Sequence, residues 1–342
     1  MTYLKVPRDR VTGLLARLLE QYQVFAPVQR DGLLTFGRLG SPEEAVLDYS
    51  NSRLPPKGLA FPQVETFFTY SLVGERLELR EPPQPPERRV LFGLRPCDAR
   101  SLALLDLVFR RDTLQDGYYL SRRESTTVVA LACAKPGLAC FCASVGGGPC
   151  SSEGSDLLMT DLGGEYLIEV VTSKGAALAE AWSECGEADE GSLRRKAELQ
   201  ARAEAFLAGR LDIEGIDRAL KGMWDDIFWE RLHEKCLGCG VCTYLCPTCH
   251  CFDIVDEGSE RQGRRLRLWD SCMFPLFTRH ASGHNPRPTG KERWCQRLMH
   301  KFCYWVDNYG QVGCVGCGRC VVNCPVNLDI RSALNEIGSR RT

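Results

Sequence analysis

The sequence predicts an α+β (α/β-like) N-terminal domain followed by an α-helical two-cluster ferredoxin domain. Three observations carry that expectation. Short apolar runs alternate with amphipathic helical patterns through the first half. The cysteines are unevenly spread, with none in 1–96, five in 97–150 and thirteen in 236–324. Finally, Cys236-x2-Cys239-x2-Cys242-x3-Cys246-Pro247 recurs as Cys314-x2-Cys317-x2-Cys320-x3-Cys324-Pro325, an internal repeat built on one ligand spacing.

The chain has 342 residues, 44% hydrophobic and 25% charged, enough for two or three domains with real cores. A net charge of −1 gives no bulk reason to expect nucleic acid or an acidic membrane surface as partner. Nineteen cysteines in a long chain whose start, "MTYLKVPRDR", lacks an apolar leader point to a reducing cytoplasm. There the thiols serve as metal ligands ahead of disulfides. No apolar run approaches the roughly 18 residues of a membrane span.

The elements follow in order. "RDRVTGLLARLLEQY" (8–22) sets Val11, Leu14, Leu15, Leu18 and Leu19 on one helical face, which predicts a helix. "GLLTFGRL" (32–39) reads as a strand, "SRLPPKGLAFPQVETFF" as an irregular connection broken by proline, and "EPPQPPERR" (81–89) as a proline-rich loop. "RVLFGL" (89–94) is a short apolar strand before a helix over 98–109, with Asp98 as its N-cap. "TTVVALAC" and "EYLIEVV" (165–171) are strands, and "KGAALAEAWSE" starts a helix. The pattern divides into an α/β domain (1–186), a helical linker (187–229) and the ferredoxin domain (230–342). A second helix is expected over 215–232, and helical character in "CMFPLFTRHASGH" and "GKERWCQRLMHKFCYWV".

The C-x2-C-x2-C-x3-C-P spacing is that of a [4Fe–4S] ferredoxin, in which the fourth cysteine of each run serves the other cluster. Cluster one therefore takes Cys236, Cys239, Cys242 and Cys324; cluster two takes Cys314, Cys317, Cys320 and Cys246. Structural zinc is the alternative, but its knuckles do not need two full quartets each followed by proline. The 67 residues between the runs (247–313) exceed what a compact small ferredoxin needs, hence the α-helical type. Gly238, Gly240, Gly316 and Gly318 let the backbone approach and turn N–H groups towards sulfur.

Cys97, Cys133, Cys140 and Cys142 form a possible third [4Fe–4S] site. Cys97 lies where a strand passes into a helix, and a helix N-terminus favours thiolate. If the strands before Cys97 and Cys133 are neighbours, all four thiols share one crevice. Buried packing cysteines are the bland alternative, and Cys150 is a rival ligand. No phosphate loop or dinucleotide fingerprint opens a helix, so no flavin or nicotinamide site is expected on this chain.

The stretches "GLRPCDARSLALLD", "CFCAS", "CLGCGVCTYLCPTCHCFDI", "LWDSCMFPLFTRHASGHNPRP" and "CVGCGRCVVNCPVNLDIR" together resemble one family. It is the iron–sulfur β subunit of cytoplasmic NAD(P)-linked [NiFe] hydrogenases (sulfhydrogenases), with the similar A subunit of anaerobic sulfite reductases. The resemblance covers nearly the whole chain. It implies an electron-relay subunit of a hetero-oligomer. A flavoprotein partner would hold FAD and meet NAD(P)H, and a catalytic partner, most readily a [NiFe] hydrogenase small and large subunit pair, would complete the complex. Its "RPCD" and "CFC" motifs map onto Cys97, Cys140 and Cys142, and Cys133 joins them as the fourth ligand.

Against a pure conduit stand two other readings: a subunit that itself reduces sulfur or polysulfide, with Cys249 and Cys251 as suspects, and an iron–sulfur sensor. No nucleophile elbow, H-E-x-x-H or phosphate loop favours catalysis. The arginines of "ERQGRRLRLWDS" (260–271) are expected on a solvated hairpin face. Arg287, Lys291 and Arg293 are candidates for offsetting cluster charge, and His250, His280 and His284 are not expected to ligate iron. Cys249 and Cys251 are expected to pack against a cluster pocket, and Cys185, Cys272, Cys295 and Cys303 to be packing residues.

Overall fold

The computed structural model describes residues 2–81, 87–182 and 184–340. Residues 82–86, the middle of the proline-rich stretch expected as a loop, lie outside the described residues. The chain opens with β1 (Thr2–Pro7) and α1 (Val11–Gln21). Val11, Leu14, Leu15 and Leu18 of α1 are buried, as their spacing requires. Each full burial of such a side chain is worth roughly 1.5–3 kcal/mol, so packing and not intrinsic propensity holds this short helix. Two hairpins follow, β2 (Gln23–Arg30) with β3 (Leu33–Arg38) and β4 (Val64–Val73) with β5 (Arg76–Arg80).

The rest of the first half comprises β6 (Arg89–Leu94), α2 (Pro96–Phe109), α3 (Gly117–Glu124), β7 (Thr126–Leu131), β8 (Leu157–Asp161), β9 (Glu165–Val170), α4 (Ser173–Ala179) and β10 (Gly186–Glu187). The second half has α5 (Glu190–Leu207), α6 (Ile216–Lys221), α7 (Phe228–His233), α8 (Val241–Tyr244), β11 (Phe252–Gly258), β12 (Gln262–Trp269) and α9 (Gly290–Met299). A π-helical turn (His300–Tyr304) continues α9 into α10 (Trp305–Tyr309), and α11 (Arg319–Val322) and α12 (Ile330–Gly338) end the chain.

Eight strands form one sheet in the order β10-β1-β9-β8-β7-β6-β2-β3. Its centre, β2, β6, β7 and β8, is parallel, and every residue of β7 is buried, as a strand covered on both faces must be. Side chains alternate between the two sides. Val129 and Leu131 pack with α1 and α4, whereas Val128 and Ala130 pack with α2 and α3. The parallel strands place the starts of α2 and of the turn after β7 at one edge, where Cys97 and Cys133 lie.

A second, antiparallel sheet has the order β11-β12-β4-β5. Strand β12 comes from between the two cysteine runs and pairs with β4 from the first half. Buried Arg267 on β12 is ion-paired to Glu65 on β4 and to Asp116 before α3. The helical core joins α6, α7, α9 and α12 around Trp229, Leu298, Phe302 and Leu334.

Several expectations change. The connection 52–68 is irregular only as far as a 3-10 turn at Pro56–Leu59; β4 then begins at Val64. The single helix over 215–232 is two: α6 ends at Lys221 before Gly222, and α7 begins at Phe228, whose N–H donates to Asp226 Oδ1 at 2.7 Å. "CMFPLFTRHASGH" is a series of turns, held by Asn285, which donates to the Pro275 carbonyl and accepts from Thr278 and Arg287. Arg267 leaves the solvated hairpin face for the interior. Asp98 is not the cap of α2: Arg95 occupies that position, Pro96 opens the helix, and Asp98 is wholly buried.

Candidate metal centres

The two cysteine runs fold alike. Gly238 and Gly240 have φ of 66° and 72°, and Gly316 and Gly318 have 62° and 73°. These left-handed positions suit glycine, and each second glycine starts a one-turn helix, α8 or α11. Backbone N–H groups point at sulfur: Gly238 donates to Cys236 Sγ at 3.4 Å, Gly316 to Cys314 Sγ at 3.4 Å and Leu328 to Cys324 Sγ at 3.2 Å.

Cys236, Cys239 and Cys242 of the first run line one cavity together with Cys320 and Cys324 of the second. Its walls are largely apolar, from Met273, Trp294, Leu328 and Ile330. Its one cation is Arg297, 2% exposed. Nη2 of Arg297 donates to the Cys242 carbonyl at 3.0 Å, while Nε and Nη1 are buried without a hydrogen-bond partner. A buried guanidinium with unmatched donors is costly unless an anion faces it. Burial opposes its charge, but Cys242, Cys249, Cys320 and Cys246 hold its pKa well above the usual value. Five thiols, enough for a four-ligand cluster, and an unmatched cation around one space suit an anionic iron–sulfur cluster. Among the described residues, no three His, Cys, Asp or Glu side chains are grouped as a single ion needs.

Cys246, Cys314, Cys317 and Cys320 form the second set. Burial raises the pKa of Cys314, Cys317 and Cys320, Cys317 to about 12, and the nearby Cys246 raises each further. The cation here is Lys301, whose Nζ donates to Cys246 Sγ at 3.2 Å, to Thr248 Oγ1 at 2.9 Å and to the Gly313 carbonyl at 2.9 Å. Burial works against its charge; Cys246, Cys249 and Cys314 outweigh that and raise its pKa.

Cys97, Cys133, Cys140 and Cys142 line a third cavity, with Arg95 and, from the second set, Cys317. Cys97 lies in the first turn of α2, and Cys133 just beyond β7. Burial pushes Cys142 up to about 12, with Cys140 and Cys133 adding to it. Arg95 is 6% exposed, donates to the Leu131 and Ala132 carbonyls at 3.3 and 2.8 Å, and lies 4.1 Å over the Tyr49 ring. Its Nε also has no partner. Cys150 is not among the residues lining this cavity.

The second and third sets adjoin. Phe141 N–H donates to the Gly316 carbonyl at 2.8 Å, Asn51 Nδ2 to the Cys317 carbonyl at 2.9 Å, and Cys140 Sγ lies 3.8 Å from that same carbonyl. A Cβ on Gly316 would stand 2.5 Å from Cys142 N, and one on Gly318 2.7 Å from the Ala139 carbonyl oxygen. Beside this junction Arg319 forms a buried two-pronged pair with Asp98, at 2.6 and 2.7 Å.

The cations suggested by the sequence are elsewhere. Lys291 pairs with Glu230, and Arg293 donates to the Arg287 and Pro288 carbonyls. Arg95, Arg297, Lys301 and Arg319 take the positions near sulfur. Only the spacing Arg297-x3-Lys301, one turn apart on a cysteine-rich helical stretch, signalled any of this in the sequence. His250 packs edge-on to His300 at 5.5 Å, and His250, His280 and His284 line neither the first nor the third cavity. Cys295 and Cys303 are buried in the helical core, and Cys185 packs against the sheet core. Cys272 packs against the helical core, and Cys249 and Cys251 are half-buried.

Residues 235–328 match the family model described as a 4Fe-4S dicluster domain. The Sulfhydrogenase 2 subunit beta of Pyrococcus furiosus is 32% identical over 342 residues, covering 98% of each chain. No solved structure matches. Among the described residues, no helix is long and apolar enough to cross a membrane. With a [4Fe–4S]-binding domain and this resemblance running from end to end, the chain belongs to the family of iron–sulfur β subunits of sulfhydrogenases.

Proposed function

We propose that this electron-transfer subunit carries three [4Fe–4S] clusters and links a flavoprotein that holds FAD and meets NAD(P)H to a [NiFe] hydrogenase pair. Cys236, Cys239, Cys242 and Cys324 would hold the first cluster. Cys246, Cys314, Cys317 and Cys320 would hold the second, and Cys97, Cys133, Cys140 and Cys142 the third. When bound, each supplies a one-electron carrier.

The observation that carries this is the continuity of the thiol sets. Cys320 of the second set also lines the first cavity, and Cys317 lines the third. The chain's own residues maintain that continuity. Gly316 and Gly318 allow the second loop to lie against 139–142, and Asn51 ties Cys317 to the first half. Arg297, Lys301 and Arg95 each put one buried positive charge beside one set, which favours thiolate there against the burial that opposes it.

Iron per chain tests the cluster number. Three clusters predict about 12 irons, from four in each. Cys97→Ser should remove about four and leave the other eight; a wild-type value near eight would end the case for the third site. Hydrogen-dependent NAD(P) reduction by the purified complex supports the partner assignment. Sulfite-dependent turnover without hydrogen uptake would move it to a sulfite reductase.

A further inference from the structure

Cys246 is the ligand that crosses from the first run to the second set, and its sulfur sits in a closed hydrogen-bond network. Thr248 stands two residues on, past Pro247, and is buried. Its Oγ1 lies 3.2 Å from Cys246 Sγ and donates to the Gly313 carbonyl at 2.8 Å. Buried Lys301 donates Nζ to Cys246 Sγ, to Thr248 Oγ1 and to that same carbonyl. The Gly313 N–H closes the network on the Lys301 carbonyl at 2.7 Å. Gly313 immediately precedes Cys314. The network therefore joins the crossing ligand to the loop that supplies the other three.

An ammonium has three N–H donors, and a hydroxyl has one proton to give and two lone pairs to accept with. Lys301 places its three donors on three acceptors, so this buried cation is fully matched only while Thr248 Oγ1 is present. The Thr248 hydroxyl in turn has one proton and two acceptors within reach, the Gly313 carbonyl and Cys246 Sγ. The carbonyl already accepts from Lys301. The sulfur carries more negative charge after reduction, which makes it the better acceptor of the two in that state. Hydrogen bonds to ligand sulfur are one of the levers that set a cluster's potential. In the other two sets the buried guanidiniums reach carbonyls: Arg297 that of Cys242, and Arg95 those of Leu131 and Ala132.

We propose that Thr248 is a positioning residue for the second cluster. Its hydroxyl holds the Lys301 ammonium on Cys246 Sγ and turns its own proton to that sulfur in the reduced state, which raises the reduction potential. The step is the gain of one electron from the relay. No bond to hydrogen breaks, since the proton stays on Oγ1 and the hydroxyl only rotates. The proposal rests on the ligand set and the relay role proposed above.

The experiment is an anaerobic redox titration of the full, iron-loaded chain, followed by electron paramagnetic resonance. Thr248→Val keeps the branched shape and loses the hydroxyl; Thr248→Ser keeps the hydroxyl and loses the methyl group. In Thr248→Val the ratio of reduced to oxidised form at a fixed poise should fall about tenfold for one cluster, the scale of one hydrogen bond to a charged acceptor. The other clusters should be unmoved, and Thr248→Ser should titrate like wild type. A residue that only packs gives the opposite order, because Ser leaves a gap where Val fills it. The cluster that moves should be the one moved by Lys301→Met. The double variant should move it by less than the sum, since both groups belong to one network.

Iron per chain equal to wild type shows that the clusters are in place in each variant. An unmoved Thr248→Val overturns the proposal, as does a shift in Thr248→Ser as large as in Thr248→Val. Loss of about four irons in Thr248→Val makes the residue a support for cluster binding and overturns the tuning role. If no cluster titrates in the wild type, the relay reading itself fails and this one with it; a normal wild type beside an unmoved variant refutes this one alone.

Discussion

Replacing Asp98 should destabilise the protein through Arg319, because the pair is sealed from water. The side chains are 0% and 2% exposed. The guanidinium donates Nη1 to Oδ1 at 2.6 Å and Nη2 to Oδ2 at 2.7 Å, with Ser52 accepting two further bonds at 2.9 Å. Asp98→Ala leaves the guanidinium buried without its carboxylate, and losing one partner of such a pair costs about 3–5 kcal/mol. Cys317 and Cys97, which also favour the Arg319 charge, remain, so the lower end, about 3 kcal/mol, is expected. That is roughly two decades in the ratio of folded to unfolded protein. Anaerobic urea unfolding followed by tryptophan fluorescence measures it, as a lower midpoint with unchanged slope. The double variant Asp98→Leu/Arg319→Met should regain most of the loss, since an apolar replacement of both charges removes the desolvation cost. A loss under about 1 kcal/mol for Asp98→Ala is what a screened surface pair gives, and would refute the reasoning.

Lys301→Met removes the cation that touches Cys246 Sγ. The more negative, reduced state of that site then loses stabilisation, and its potential in a redox titration should fall by on the order of 60 mV, one decade for one electron; an unchanged potential would show that Lys301 only packs. Gly316→Ala places a Cβ 2.5 Å from Cys142 N at a left-handed position, so both stability and iron per chain should drop. Gly238→Ala, whose nearest contact is Met273 O at 3.9 Å, should bear only the roughly 1–2 kcal/mol conformational cost. Equal losses would show that contact between the loops is unimportant. Burial lowers His250 to about 4 and His300 to about 3 from the ordinary 6.5, His250 adding to the effect on His300. The unfolded chain therefore takes up protons first on acidification. Stability is complete above pH about 6.5 and is lost progressively towards pH about 4, by roughly 1–3 kcal/mol per histidine. His300→Gln should flatten the dependence of unfolding free energy on pH in this window, and an unaltered slope would contradict the assignment.

The cysteine runs were legible because their signal is local. Three ligands within one loop need a fixed spacing and glycines with positive φ, and both are written in consecutive residues. The strands of the parallel centre were equally plain, since burial on both faces demands unbroken apolar runs such as 126–131. β4 was not, because its partner β12 is far along the chain and a proline-broken stretch precedes it. The break between α6 and α7 falls over the short stretch from Gly222 to Ile227, which periodicity alone does not detect.

Arginine and lysine at 95, 297, 301 and 319 look in sequence like any others. Their role follows from burial, which turns a solvated cation into one that needs an anion beside it. Spacing along the chain determined the ligand chemistry, because a cluster loop is short and its constraints are covalent. Only the tertiary structure decided which loop stands beside which and where the buried charges fall. Those are set by contacts between residues tens to hundreds of positions apart, and no local pattern encodes them.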